Sequence, residues 1–202
     1  RYPSMEAYAA AKLRLFENQE DADYAVLNAD DPRLSRATSV SAGARIEFSR
    51  TRPVERGVCL DGDAIVSNLY GRREEVCRVG ALQVRGAHNI ENAMAAAAAA
   101  MLAGCPLAAV NRGLRAFRGL EHVMEVVRVL RGVAYINDSK GTNVDATIKA
   151  LESVPAPVIL IAGGREKGGA YPGLAEAVRR KAKRVILLGE ARVRLRAVLA
   201  GA

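Results

Sequence analysis

Hydrophobic and polar positions follow two different patterns along this chain, and the periodicity changes from Gly132 onward. After Gly132, short apolar runs of strand length alternate with segments whose apolar residues recur at helical spacing. The predicted strands are 133–137, 157–162 and 184–188, and the predicted helices are 143–153, 171–182 and 191–199. Strands and helices that alternate in this way predict a parallel sheet with right-handed crossovers.

Before Gly119 the pattern is mixed. The predicted elements are a helix over 4–18, a strand over 25–28, alternating segments over 44–49, 57–67 and 75–79, and helices over 88–102 and 107–117. Ser4 is a candidate N-cap for the first helix. Gly/Asp and Tyr-Gly turns separate the alternating segments, which predicts a small antiparallel meander. We therefore expect an α/β chain with two domains, 1–119 and 120–202.

Composition is ordinary for a globular protein, since 50% of the 202 residues are hydrophobic and 26% are charged. No apolar run reaches the ~18 to 20 residues of a membrane span, and no signal peptide opens the chain. We therefore expect a cytoplasmic protein with no membrane partner. The chain opens on Arg1 and stops directly after a predicted helix, so we expect it to be part of a longer polypeptide.

The net charge of +8 and a pI of about 9.8 raise the question of nucleic acid binding. The basic residues are scattered singly, however, and the chain has only 6 Tyr, 3 Phe and no Trp to stack on bases. We expect no nucleic acid partner. A moderately basic cleft for phosphorylated, carboxylated substrates explains the charge as well.

Cysteine and histidine are too few and too scattered for a zinc or redox site. The 3 cysteines, Cys59, Cys77 and Cys105, have no C-x-x-C spacing, and the chain has 2 histidines. We expect free, buried or half-buried thiols. Any metal would need oxygen ligands instead.

Chemically capable side chains gather where predicted strands give way to helices. The segment 135–143 follows an apolar run and contains a carboxylate, a lysine and hydroxyls, and the segments 159–167 and 185–190 repeat the arrangement. In an open α/β sheet the carboxyl ends of the strands and the N-termini of the helices face one crevice, where ligands bind. The polar groups therefore converge on one edge of the sheet.

Five segments occur in the order seen in the Mur ligases, and the chain resembles that family over essentially its whole length. The segments are 8–18, 28–31, 86–93, 137–143 and 162–168. The resemblance implies the later part of a central P-loop-type ATPase domain, with the meander, over 1–119. It also implies the first part of a Rossmann-like C-terminal domain over 120–202. No G-x-x-x-x-G-K-[ST] string occurs, so the chain alone should not catalyse.

The resemblance implies ATP-dependent amide formation with ATP and Mg²⁺ as cofactors, by a monomer whose site is shared between domains. The substrate carboxylate of UDP-N-acetylmuramoyl-L-alanine becomes an acyl phosphate, and the amine of D-glutamate displaces the phosphate. The Asp-Ser-Lys-x-Thr-Asn loop at 138–143 favours the D-glutamate-adding branch, because its lysine and threonine suit a dicarboxylic acceptor. Other Mur ligases and folylpolyglutamate synthase share the general chemistry and remain alternatives.

Lys12 is the metal-binding candidate. In the resembling enzymes the lysine of this helix is carbamylated, which turns an ammonium into an anionic oxygen ligand for Mg²⁺. The alternative is an ordinary solvated helix lysine.

Nucleotide binding is implied for Asn89, Asn92 and Asp138. The two asparagines lie three residues apart and share one helix face. Capping of the helix by His88 or Asn89 is the alternative role.

Lys140, Thr142 and Lys167 are implied to face the reacting groups and the α-carboxylate of the acceptor. The alternatives are a helix cap for Thr142 or Asn143 and a mobile loop charge for Lys167. Asp30 and Asp31 precede Pro32, and we expect turn chemistry rather than metal binding for them.

One position departs from the family pattern. The start of the C-terminal domain usually reads His-Arg, and that arginine reaches the nucleotide, whereas His122 is here followed by Val123. A branched apolar side chain cannot replace a guanidinium, so either Arg118 or Arg128 compensates or nucleotide affinity is reduced. Val123 and the missing Gly-rich loop also leave open a nonenzymatic basic binding protein derived from such a ligase.

Overall fold

The computed structural model describes residues 2–36, 41–165, 171 and 173–201, without the side chains of 35 and 36. The chain divides into two compact units, Arg1–Arg118 and Gly119–Ala202. Each unit has its own apolar core.

Unit 1 contains four helices and five strands among its described residues. They are α1 (Met5–Leu13), β1 (Tyr24–Asn28), α2 (Pro32–Arg36), β2 (Ala44–Ser49), β3 (Gly57–Asp61), β4 (Ala64–Ser67), β5 (Glu74–Arg78), α3 (Ala87–Leu102) and α4 (Leu107–Ala116). Short 3₁₀ turns follow α1 and β5. The first helix is thus shorter than the predicted range 4–18, since its α-helical part ends at Leu13.

The five strands form one mixed sheet in chain order. β1, β2 and β3 are parallel, and β3, β4 and β5 are antiparallel. The prediction of an antiparallel meander is correct for β3 to β5 and wrong for β2, since alternation reports which face is buried but not which way a strand runs. At the β2–β3 contact Gly57 has φ 154°, and a Cβ there would collide with the carbonyl oxygen of Glu47.

The core of unit 1 lies between this sheet and α3. Ile46, Val58 and Ile65 point from the strands towards Met94 and Ala97 of the helix, and all five are fully buried. The small side chains of the alanine-rich helix let its backbone approach the sheet closely. Packing along the middle of α3 therefore holds its N-terminal turns over the sheet.

Unit 2 contains four strands and three helices in its described part. They are β6 (Glu125–Leu130), β7 (Val133–Asn137), α5 (Val144–Ser153), β8 (Val158–Gly164), α6 (Leu174–Lys181), β9 (Ala182–Gly189) and α7 (Arg192–Leu199). β8 and β9 pair in parallel, as predicted. Leu151, Leu174, Ala177, Val178 and Leu195 of the helices pack against them.

The strand predicted at 133–137 is present but has a different partner. Within the described residues, β7 pairs only with β6, antiparallel to it. Arg131 and Gly132, at φ 49° and 78°, form the tight turn between them. The prediction overlooked β6, whose apolar residues belong to this hairpin.

None of the helices built by the described residues is both long and apolar enough to cross a membrane.

The three cysteines are free thiols, of which Cys59 and Cys77 are buried and Cys105 is exposed. Burial raises the pKa of Cys77, so this thiol is a core residue of low reactivity.

Candidate functional site

The loop between β7 and α5 has a firmly held backbone. Asn143 is the N-cap of α5, and its Oδ1 accepts a hydrogen bond of 2.8 Å from the backbone N–H of Ala146. The backbone N–H of Gly141 donates to the carbonyl oxygen of Asp138 at 2.8 Å. Of the two capping candidates, Asn143 is therefore the cap, which leaves the exposed side chain of Thr142 outside it.

Two hydrogen bonds connect the turn at 120–125 to the same loop. Asp138 Oδ1 accepts from the backbone N–H of Met124 at 3.1 Å, and the backbone N–H of Lys140 donates to the carbonyl oxygen of His122 at 3.1 Å. His122 and Met124 have φ values of 66° and 47°, which turn their backbone groups towards the loop. The half-buried Asp138 is thereby fixed, while the side chain of Lys140 is exposed.

Val123 lies in the middle of this hydrogen-bonded turn. Asn137 Nδ2 is 2.9 Å from His122 Nδ1, and Glu125 Oε2 accepts from the backbone N–H of His122 at 2.9 Å. The backbone at position 123 is therefore held next to the loop that contains Asp138. Arg128, one of the two suggested substitutes, lies further along β6 opposite Tyr135.

The capping role separates Asn143 from Thr142 in a testable way. Asn143→Ala removes the cap, and we expect the free energy of unfolding to fall by about 1 kcal/mol. Thr142→Ala should leave stability within about 0.5 kcal/mol of the wild type, because the exposed hydroxyl makes no capping bond. Urea unfolding of both variants measures this difference, and equal losses would contradict the assignment of the cap.

Lys167 lies outside the described residues. The strand before it, β8, ends at Gly164, next to Gly189 of β9.

Asn89 and Asn92 lie in the first two turns of α3. The N-cap of α3 is Gly86, at φ 98°, and it makes no side-chain capping bond. The alternative of a cap by His88 or Asn89 is therefore wrong. Asn89 is half-buried, and its Nδ2 donates to the carbonyl oxygen of Arg85 at 2.8 Å, whereas Asn92 is exposed.

Asp31 has the local turn role that we expected, whereas Asp30 holds a loop about 20 residues further along the chain. Asp31 Oδ1 accepts from the backbone N–H of Arg33 at 2.7 Å, at the start of α2. Asp30 accepts from the hydroxyls of Ser49 and Thr51, both at 2.6 Å, and from the backbone N–H of Arg50 at 2.7 Å. Burial alone would raise the pKa of Asp30, but these hydrogen bonds outweigh it and lower the pKa.

Lys12 is exposed near the end of α1. Its Nζ lies 5.4 Å from the ring centroid of Tyr8, one turn earlier, in a cation–π contact. Ser4 caps this helix as predicted, since its Oγ accepts from the backbone N–H of Ala7 at 3.2 Å. No three His, Cys, Asp or Glu side chains in the described part of the chain cluster as metal ligands. A carbamate on Lys12 would add the anionic oxygens that Mg²⁺ prefers.

Sequence reasoning missed the residues that support these loops. Ser49, Thr51 and Glu125 accept or donate bonds that hold candidate segments, yet each lies in an ordinary polar stretch. Asp30 and its two hydroxyl partners are 19 and 21 residues apart. No local spacing rule connects residues at that distance.

Comparison with protein families gives two matches in chain order. Residues 1–100 match the Mur ligase middle domain, and residues 124–202 match the domain described as Mur ligase, glutamate ligase domain. Together the two matches cover most of both units.

Two curated relatives are enzymes named UDP-N-acetylmuramoylalanine–D-glutamate ligase. The chain is 49% identical to that of Pelotomaculum thermopropionicum, covering 94% of this chain and 42% of the relative. It is 43% identical to that of Syntrophotalea carbinolica, covering 100% of this chain and 44% of the relative. The chain therefore spans less than half the length of the curated relatives it matches.

Solved structures share the fold. MurF from Acinetobacter baumannii superposes with a TM-score of 0.70 at 15% identity, covering 94% of this chain and 44% of that one. MurC from Thermotoga maritima superposes with a TM-score of 0.66 at 19% identity, covering 98% of this chain and 45% of that one. MurF from Thermotoga maritima, solved in complex with ADP, gives a TM-score of 0.63 at 15% identity, covering 98% and 51%.

Proposed function

Because this chain belongs to the Mur ligase family, we propose that it is part of an enzyme that adds D-glutamate to UDP-N-acetylmuramoyl-L-alanine in the cytoplasm. The reaction consumes ATP and forms an amide bond. The observation that carries the proposal is the loop at 137–143. Its backbone is held by the Asn143 cap and by the turn at 120–125, while the side chains of Lys140 and Thr142 stay exposed for ligands.

The chemistry has two steps. A carboxylate oxygen of the substrate attacks the γ-phosphorus of ATP, and ADP leaves, which produces an acyl phosphate. The amine of D-glutamate then attacks the acyl carbon, loses a proton, and expels phosphate. Both steps bring anions together, so fixed cations and exact positioning supply most of the catalysis.

Unit 2 supplies the cations for the acceptor. Lys140 is assigned to the α-carboxylate of D-glutamate and the reacting groups, with Lys167 as the second cation. Thr142 donates a hydrogen bond to the same carboxylate. The rigid backbone below Lys140 supports this role, because a preorganised charge loses little free energy to reorganisation.

Unit 1 supplies the nucleotide side. Asn89 and Asn92 are assigned to the adenine and ribose of ATP, and Asp138 is also assigned to the nucleotide. Lys12, once carbamylated, would hold Mg²⁺, which neutralises phosphate charge when it is bound. The exposed position of Lys12 leaves its amine accessible to carbon dioxide.

A chimera tests the proposed function. Residues 1–202 replace the matching segment of the Pelotomaculum thermopropionicum relative, and phosphate release is followed with ATP, UDP-N-acetylmuramoyl-L-alanine and a panel of amino acids. We expect release with D-glutamate and little with L-glutamate or L-lysine. A folded chimera that releases phosphate with none of them, beside an active parent relative, would refute the proposal and favour the nonenzymatic alternative.

Val123→Arg should strengthen nucleotide binding. The turn at 120–125 holds the backbone of position 123 beside the Asp138 loop, and the family pattern has an arginine at this position, which supports a nucleotide contact for a guanidinium here. A charge-assisted bond to phosphate is worth about 1.5 kcal/mol, and we expect the KM for ATP in the chimera to fall about tenfold.

The control for this prediction is Val127→Arg, which adds the same charge at an exposed β6 position that is 62% accessible. General attraction of ATP by an added charge would lower the KM equally in both variants. That result would contradict a specific role for position 123.

A further inference from the structure

The N-terminal turns of α3 are anchored from outside the helix. Its N-cap, Gly86, offers no side chain to the free N–H groups, and glycine at φ 98° leaves the preceding chain adaptable. The buried residues of α3 begin at Ala93, beyond both candidate asparagines. Within these turns the apolar side chain of Ile90 is half-buried against the core, so it is the polar side, which carries the asparagines, that needs support from another element.

Arg50 provides that link. Its Nε lies 3.3 Å from Oε1 of Glu91, which stands between Asn89 and Asn92 in the chain. The side chains of Arg50 and Glu91 are 37% and 29% exposed, so this ion pair is partly shielded from solvent. It connects the loop after β2 directly to the turns that carry the asparagines.

The loop after β2 is itself held rigidly by Asp30. Besides donating to Asp30, the fully buried hydroxyl of Ser49 accepts from the backbone N–H groups of Thr51 and Arg52, at 3.2 and 3.0 Å. On the other side, Asn28 Oδ1 accepts from the backbone N–H of Asp30 at 2.9 Å. The carboxyl ends of β1 and β2 are thus joined into one rigid support for Arg50.

We propose that Arg50 and Glu91, supported by Asp30, position the first turns of α3 so that Asn89 and Asn92 bind the nucleotide. This inference rests on the proposed function. Arg50 and Glu91 are positioning residues, since they act through the asparagines and not on the reacting atoms. A displacement of about 1 Å is enough to lose such hydrogen bonds.

A surface ion pair that only adds stability is the alternative explanation, and such pairs are worth at most about 1 kcal/mol. The two explanations differ in what Glu91→Gln changes. A positioning role loosens the start of α3 and weakens ATP binding, whereas a purely structural role lowers the unfolding temperature and leaves the ATP affinity of the folded protein unchanged.

Hydrogen exchange of the chain and ATP kinetics of the chimera form the test. For Glu91→Gln we expect faster exchange of the amides at 86–92 and a three- to fivefold higher KM for ATP, roughly the worth of one such pair. We expect kcat to stay within about twofold. The matched control is Glu74→Gln, which breaks the Arg72–Glu74 pair of 3.1 Å at the other side of the sheet and should change neither quantity.

Exchanging the charges gives a second arm. Arg50→Glu with Glu91→Arg should recover part of the loss seen in the single variants, as coupling between the two sites requires. If the chimera is active and its KM for ATP is unchanged by Glu91→Gln, this inference is overturned and the proposed function stays intact. A folded chimera that is inactive before any substitution would refute the proposed function and, with it, this inference.

Discussion

Replacing Lys140 with alanine should reduce kcat/KM for D-glutamate at least a hundredfold in the chimera. One ammonium that neutralises charge in a transition state is worth about 3 kcal/mol, and its loss lowers the rate accordingly. Folding should be unaffected. The Lys140 side chain is exposed, and its only described role in the loop is a backbone N–H bond to His122, which alanine keeps.

The measurement is steady-state phosphate release over a range of D-glutamate concentrations, together with urea unfolding of each variant. Lys149→Ala is the matched control, because this lysine is also exposed and lies on α5, just beyond the loop. It should retain wild-type turnover. Equal activity of the Lys140 and Lys149 variants at equal stability would refute the assignment of the loop.

Replacing Asp30 with alanine should lower the free energy of unfolding by about 3 kcal/mol at pH 7. The substitution leaves the fully buried hydroxyl of Ser49, the hydroxyl of Thr51 and the N–H of Arg50 without their shared acceptor. A hydrogen bond to a charged group is worth about 1.5 kcal/mol, so the bonds lost by the buried Ser49 hydroxyl and the half-buried Arg50 N–H account for this total, whereas the hydroxyl of the exposed Thr51 turns to water instead. Asp31→Ala, at the neighbouring cap of α2, should cost about 1 kcal/mol and serves as the control.

The effect of Asp30 should depend on pH in one direction. Its pKa is lowered in the folded chain, because hydrogen bonds to the carboxylate outweigh the opposing effect of burial. The stability that it contributes is therefore present above the unfolded pKa of about 3.9 and is lost as the pH falls through the lower folded value. The gap in unfolding free energy between wild type and Asp30→Ala should shrink from pH 6 to pH 3. A gap that stays constant would show that the carboxylate charge contributes nothing.

Local periodicity predicted most elements of this fold well. The segment 44–49 and the strand Ala44–Ser49 coincide, and the predicted helix 88–102 differs from Ala87–Leu102 by one residue. The alternation of apolar residues defines the strand, and Gly104 and Pro106 after the alanine-rich run define the end of the helix. The direction of a strand could not be predicted from the sequence in the same way, because β2 shows the same alternation whether its neighbour runs parallel or antiparallel.

The hairpin of unit 2 shows a second limit. The turn at Arg131–Gly132 requires positive φ at a residue that is not glycine, and arginine is not a typical signal for it. With that turn unrecognised, β6 was missed and β7 was placed in the parallel sheet. The pattern of the strand was right, but its partner depended on the turn.

At the candidate site, the residue types predicted several possible roles, and the backbone conformation determines which role each residue has. Asn143 and Thr142 are both good caps, and only the 2.8 Å bond from Ala146 identifies Asn143. Asn89 was also a plausible cap, but the N-cap of α3 is Gly86, three residues earlier. The support given by Asp30, Arg50 and Glu91 crosses three elements and follows from tertiary contacts alone.

Oxygen tracing tests the central claim, which is activation of a carboxylate by ATP before D-glutamate is joined. UDP-N-acetylmuramoyl-L-alanine labelled with oxygen-18 in its alanyl carboxylate is turned over by the chimera with unlabelled ATP and D-glutamate. If an acyl phosphate forms, each phosphate released carries one labelled oxygen from the carboxylate, and the dipeptide product retains the other. Phosphate released without label, in an amount equal to the product, would contradict the account.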